Sequence, residues 1–167
     1  MKKISTTTKF KGYNRLDELE LETKSGERIS RELLINKDGV AALIYDTKKS
    51  KFVFVKQWRP CINQEMVEVV AGSIEEGETA EEAIEKEIFE ETGYEVDKLM
   101  FLEKFYVSPG TITESVSLFY VTVSKQIKTD IGNDDENEEL ELVYMTLYDV
   151  MVYPFIDAKT LIAIQNC

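Results

Sequence analysis

Apolar and charged residues alternate in LDELELE, pause at KSGE and resume in RISRELLI. Period-two alternation on both sides of a glycine-containing turn predicts an antiparallel hairpin over about residues 12–35, with Gly26 in the turn. Two denser runs follow, GVAALIYD and KFVFVKQW, joined by the polar TKKS. Their β-branched and aromatic content predicts a second hairpin. EMVEVVAG predicts one short strand ending at Gly72, and LMFLEKFYVS and SVSLFYVTVS predict strands on either side of PGTITE. ELELVYMTL reads as a late strand, DAKTLIAIQ as a closing helix with Asp157 as its N-cap, and QIKTDIGNDDENE as a loop. Strands outnumber helices, and their spacing predicts an α+β fold, a mixed sheet with a few packed helices. No repeat or low-complexity linker interrupts the 167 residues, so one domain is expected. The N-terminal hairpin is too small to hold a core alone and is expected to pack on the main body or on a second subunit. Trp58 could stack on a base, but its place in an apolar run makes a core position the expectation.

The stretch GETAEEAIEKEIFEETGY predicts the principal helix. Thr79 and Glu82 form a capping box, and Gly93 stands where a left-handed stop is wanted, so the helix is expected over roughly Ala80 to Thr92. At about 100° per residue, Ala80, Ala83, Ile84 and Ile88 share an arc of about 140°. That arc is the face expected to pack on the sheet. Glu87 and Glu91 fall within it, whereas Glu81, Glu82, Glu85 and Lys86 fall outside. A solvated acidic helix face is the plain alternative. However, two carboxylates one turn apart on an apolar stripe repel each other and lose solvation. A divalent cation relieves both costs, and Glu90 beside the pair can hold a metal-bound water or a second ion.

Composition narrows the chemistry. The net charge is −12, which argues against sequence-independent nucleic-acid binding. A phosphate-handling protein this acidic needs metal ions to offset its own charge. There is no histidine, which excludes His-ligated zinc, Ser-His-Asp triads and imidazole bases. Oxygen-only ligands favour Mg²⁺ or Mn²⁺. Neither an apolar run near the roughly 20 residues of a membrane span nor a signal-peptide pattern is present, and Cys61 and Cys167 share no motif. A cytoplasmic protein with free thiols is expected.

Gly72, Glu78, Lys86-Glu87-Ile88, Glu90-Glu91, Gly93 and Tyr94 stand in GSIEEGETAEEAIEKEIFEETGY. This closely resembles the Nudix box, in which G is followed after five residues by E, and after seven more by R-E-apolar-x-E-E-x-G-apolar. One fixed position departs: Lys86 stands where the family has Arg. Lys supplies the charge but not the planar fork that orients a carboxylate. From about Arg31 onward, RELL, KQWRP, EVVAG, VSPGTITE, DENEELEL and DAKTLIAIQ are similar to the ADP-ribose pyrophosphatases, as is the placing of Pro109 sixteen residues after Gly93.

The resemblance implies a Nudix fold, with the mixed sheet sandwiched between helices and an N-terminal β-hairpin extension, about residues 1–36, ahead of a core over about 37–167. It implies Mg²⁺-dependent (or Mn²⁺-dependent) hydrolysis of a nucleoside diphosphate sugar, with two to three ions per site. The Ala71 carbonyl, Glu87, Glu91 and Glu138 would bind metal. Glu136 would be the general base, with Glu90 beside the metal pair. Arg59 and Ser73 would contact substrate; pairing with a surface carboxylate is the plain alternative for Arg59, as a loop residue with no ligand is for Glu114. Ser108, Gly110 and Glu114 would wrap the terminal ribose, and Arg31 and Glu32 would reach the adenine side from a partner subunit of a homodimer. By itself the run NDDENEE reads as a solvated turn, and its residues alone leave the catalytic carboxylate open by one or two positions. ADP-ribose is the expected substrate. Another nucleoside diphosphate sugar such as GDP-mannose is the alternative, and a non-catalytic nucleotide-sugar-binding module is the rival from another class.

Overall fold

A computed structural model describes residues 1–129, 131 and 140–166. The chain forms two compact units: Met1–Asp38 with Phe105–Ser115, and Gly39–Lys104 with Val116–Cys167.

The first unit is a three-stranded antiparallel sheet of β1 (Lys2–Lys11), β2 (Arg15–Glu22) and β3 (Arg28–Ile35), in the order β1-β2-β3. The expected hairpin is β2–β3, turning at Gly26 with φ of 84°. Strand β1 was not expected. All ten of its residues are exposed, so no face is selected for apolar side chains and no alternation marks it. Its partner β2 buries Asp17, which Arg15 grips with two hydrogen bonds of 2.9 and 2.6 Å while Thr8 donates a third at 2.8 Å. Within β3, Leu34 exchanges backbone hydrogen bonds with Thr111 and Thr113, which ties segment 105–115 to the end of the strand.

The second unit holds a sheet ordered β10-β5-β4-β9-β8, with β6 added to β5 and β7 to β4. Its strands are β4 (Gly39–Asp46), β5 (Lys51–Arg59), β6 (Gln64–Glu68), β7 (Val70–Ser73), β8 (Tyr94–Tyr106), β9 (Ser115–Gln126) and β10 (Glu141–Met145). Pairing of β4 with β9 is parallel and that of β4 with β5 and β7 antiparallel, which makes the sheet mixed. Helix α1 (Ala80–Thr92) lays Ala83, Ile84 and Ile88 on Val40, Ala42, Ile44, Val53, Val55 and Val121. The intervening residues Ala41, Leu43, Phe54 and Leu118 are equally buried, so central strands read as continuous apolar runs. Phe155, just ahead of α3 (Ala158–Gln165), packs on Phe54 with ring centroids 5.0 Å apart.

Three local expectations change. EMVEVVAG is two strands, because the chain leaves β5 at Glu68 and joins β4 at Val70. ELELVYMTL is a strand only to Met145; Thr146 then caps a short helix, α2 (Leu147–Val152), through a capping box with Asp149. Trp58 is 55% exposed and not in the core, since β5 leaves the buried centre of the sheet before reaching it.

Where α1 meets β8, a buried polar cluster closes the unit. Gly93 takes the left-handed conformation (φ 70°), and a Cβ there would lie 1.8 Å from the Lys128 carbonyl oxygen, so both the cap and the neighbouring backbone require glycine. Tyr94, 1% exposed, donates its hydroxyl to Asp46 at 2.5 Å and accepts from Lys49 Nζ at 2.6 Å. Asp46 also accepts the backbone N–H groups of Lys48 and Lys49. Burial alone would raise the Asp46 pKa, but these donors and the Lys49 charge hold it below the usual carboxylate range. Burial, then the bond to Asp46, pushes the Tyr94 phenol well above its ordinary value, so it stays a donor throughout the neutral range.

Tyr94→Phe keeps the ring and removes one donor from a buried carboxylate. A loss of about 1–3 kcal/mol is expected at neutral pH. Because the folded pKa of Asp46 is depressed, its contribution is present above the unfolded carboxylate value of about 3.9 and disappears as pH falls through the folded value. Urea titrations at pH 7 and about pH 3 should therefore show the gap between wild type and variant narrowing in acid.

Candidate active site

The loop between β7 and α1 is built by local bonds. Gly77 turns it with φ of 86°, and Glu78 accepts the Glu75 N–H at 3.0 Å. Glu78 therefore serves the loop that feeds the helix. Thr79 and Glu82 then start α1 with the expected reciprocal capping box.

This start sets the register. Glu81, Glu82, Glu85 and Lys86 face solvent, Glu87 and Glu90 are half-buried, and Glu91 is 6% exposed. The Glu87 carboxyl lies against the backbone of β7: a Cβ at Gly72 would come within 2.1 Å of Glu87 Cδ and Oε1. Glycine at position 72 is thus what lets a carboxylate approach the strand just after the Ala71 carbonyl. Ala71 itself pairs with Ala41 of the central strand, which holds that carbonyl on a rigid element.

The donor set fits a divalent cation. Glu87 and Glu91 are one turn apart on the packed face of α1, where like charges repel. Glu90 and Glu91 also sit in the last turn, which holds no basic residue, so they face the negative end of the helix dipole. The Glu91 carboxyl keeps another interaction, but its Oε2 is buried and accepts no hydrogen bond. Oxygen donors of this kind suit Mg²⁺ or Mn²⁺. Among the described residues, no three acidic or thiol side chains converge on one point. A metal centre here would need the Ala71 carbonyl, or residues outside those described, besides Glu87 and Glu91. Glu136 and Glu138 both lie outside the described residues.

The other expected residues divide between the two units. In the second, Ser73 is exposed at the end of β7, and Arg59 is half-buried at the end of β5. In the first, Arg31 and Glu32 are exposed on β3; Arg31 donates to the Ser30 carbonyl, and Glu32 stands opposite Glu18. Ser108 and Gly110 share a turn in which the Ser108 carbonyl accepts from Thr111 and Ile112, and Glu114, past that turn, accepts from Asn36 Nδ2 at 3.4 Å.

Arg59 does pair with a carboxylate, but with a buried one inside a charged cluster that the sequence did not show. Glu68, 2% exposed, receives Arg59 Nε at 2.6 Å and Nη2 at 2.9 Å, the two-bond fork that Arg makes with a carboxylate. Lys159 bridges Glu68 to Asp157, at 3.4 and 2.8 Å. Asp157 lies below the ordinary carboxylate range: burial opposes this, but the Lys159 charge and the Thr160 donors prevail. EVVAG and DAKT carried these residues in the sequence, but nothing local said that they meet.

The NUDIX domain model matches residues 35–162. The chain belongs to the Nudix hydrolase family. It is 34% identical over 153 residues to the ADP-ribose pyrophosphatase of Bacillus subtilis (strain 168), covering 87% of this chain and 80% of that protein. It is 33% identical over 169 residues to the methanol dehydrogenase activator of Bacillus methanolicus (98% and 90% covered). Identity to the GDP-mannose pyrophosphatase of Escherichia coli (strain K12) is 33% over 132 residues (74% and 69% covered). The fold is also that of a crystal structure of an ADP compounds hydrolase, at TM-score 0.82 and 20% identity, covering 99% of this chain and 91% of that one. The protein is a Nudix pyrophosphohydrolase of the group that includes the ADP-ribose pyrophosphatases. Nudix hydrolases work with divalent cations such as Mg²⁺, in keeping with the oxygen donors of α1. Among the described residues, no helix is long and apolar enough to cross a membrane.

Proposed function

We propose that this Nudix hydrolase cleaves the pyrophosphate bond of ADP-ribose, giving AMP and ribose 5-phosphate. The observation that carries the reading is the Glu87 carboxyl seated against Gly72, one turn from buried Glu91, in a chain without histidine. Glu87, Glu91 and the Ala71 carbonyl would hold two to three Mg²⁺ or Mn²⁺ ions, with Glu138 completing the ligand shell. Bound cations would offset the diphosphate charge and acidify a water. Glu136 takes the proton from the attacking water, and Glu90 orients it. Water adds to one phosphorus as the bridging P–O bond breaks, so each product keeps one phosphate. Arg59, its fork aligned by Glu68, and Ser73 contact the diphosphate. Ser108, Gly110 and Glu114 bind the terminal ribose, while Arg31 and Glu32 bind the adenine side of a second copy's site.

Similarity to the ADP-ribose pyrophosphatase over more of the chain than to the GDP-mannose enzyme favours ADP-ribose. Turnover of a panel of nucleoside diphosphate sugars with Mg²⁺, scored by released phosphomonoester, tests this. Highest kcat/KM for ADP-ribose is expected; highest for GDP-mannose would give that sugar the role.

The whole chain acts as one cytoplasmic hydrolase domain in this reading, dimeric through its first 36 residues or so. Light scattering should give a dimer for the full chain and a monomer after their removal, with substrate affinity falling more than metal affinity. A fully active monomer at assay concentration would exclude composite sites.

Lys86→Arg should keep or raise kcat, because the guanidinium fork can hold a carboxylate by two hydrogen bonds where an ammonium holds it by one. Steady-state kinetics at saturating Mg²⁺ decide it; a large fall in a folded variant would mean that the site is built around lysine.

A further inference from the structure

We propose that Thr160 and Asp157, at the start of α3, are positioning residues for the metal site on β7 and α1; the proposal rests on the metal reading given above. At Val69 the chain crosses from pairing with β5 to pairing with β4, and Val69 belongs to neither register. Its N–H is buried at a point where no strand can receive it. Thr160 Oγ1 receives it at 3.0 Å, from 91 residues further along the chain.

The acceptor is itself fixed. Thr160 is fully buried, and its hydroxyl proton goes to Asp157 Oδ2 at 2.8 Å, which turns its oxygen toward Val69. The same Asp157 oxygen caps α3 by accepting the Thr160 N–H at 2.9 Å. Through Lys159, Asp157 is also joined to Glu68, the residue before Val69. Two consecutive residues of the crossing, Glu68 by its side chain and Val69 by its backbone, are thus held by one helix start. Ala71 and Gly72 follow within three residues, and Gly72 is the surface on which Glu87 sits. Small displacements of this backbone carry the metal donors with them. Groups that orient metal ligands from behind commonly change affinity by about 10–100-fold.

The test compares Thr160→Val, which keeps shape and removes the acceptor, with Thr160→Ser, which keeps the acceptor. Mn²⁺ binding is read from the electron paramagnetic resonance signal of free Mn²⁺, with circular dichroism melts run without metal and Glu91→Gln as reference. Thr160→Val is expected to bind Mn²⁺ at least about tenfold more weakly while still folded, with Thr160→Ser close to wild type. Wild-type Mn²⁺ affinity in Thr160→Val, with affinity lost in Glu91→Gln, overturns the positioning role and leaves the metal reading standing. Wild-type affinity in both overturns both. If Thr160→Val does not fold, Thr160→Ala replaces it under the same expectation, and unchanged Mn²⁺ affinity there overturns the proposal equally.

Discussion

Glu91→Gln should leave the fold intact and lower kcat by at least about 100-fold, the upper end of what is lost when only a supporting group behind a metal ligand is removed. The side chain is nearly isosteric and 6% exposed, so packing against Ile88 and the sheet is conserved. The substitution removes one negative charge from the last turn of α1, where Glu90 and Glu91 oppose the helix dipole. Without metal, the variant should therefore melt no lower than wild type, and it can melt higher. Loss of turnover without loss of stability separates a functional carboxylate from a structural one. Thermal melts and kinetics over a Mg²⁺ titration check both halves; near-normal turnover at saturating Mg²⁺ would defeat the metal assignment.

Gly72→Ala is expected to show the same separation from the other side of the site. The new Cβ would lie 2.1 Å from Glu87 Cδ and Oε1 and 2.5 Å from its Cγ. The obstructed atoms belong to the outer part of a flexible, half-buried side chain, so Glu87 can swing away at little cost to the core. The stability change should stay within about 1–3 kcal/mol, the range of a tolerated overpacking. The carboxylate, however, leaves the strand, and Mn²⁺ affinity and kcat should each fall by roughly 100-fold. Equilibrium unfolding together with Mn²⁺ titration tests it. Unchanged Mn²⁺ binding would show that Glu87 is not held against β7 when the site works.

Most of α1 was legible because its determinants are local. The Thr79–Glu82 box, the Gly93 stop and the placing of Glu87 and Glu91 on the buried arc need only about fifteen residues and helical geometry, and the helix observed is Ala80–Thr92 as expected. Strand β4 was equally plain, since a run buried on both faces leaves an unbroken apolar signature. Strand β1 had no such signature, because neither of its faces is buried. The α2 helix was hidden by its length of six residues, too short for a period to show. Trp58 illustrates a further limit: an aromatic residue in an apolar strand is buried only if the sheet is covered that far along.

By itself, then, the sequence determined the class of fold, the helix that carries the carboxylates, and the exclusion of imidazole chemistry in a chain with no histidine. Only the tertiary structure decided that Gly72 makes room for Glu87, that Arg59 is gripped by Glu68, and that Thr160 receives the Val69 N–H from 91 residues away. The reason is physical. Capping and periodicity are set by neighbours within a turn or two of chain, whereas a buried donor or a space the size of a methyl group is defined by whatever the fold brings against it.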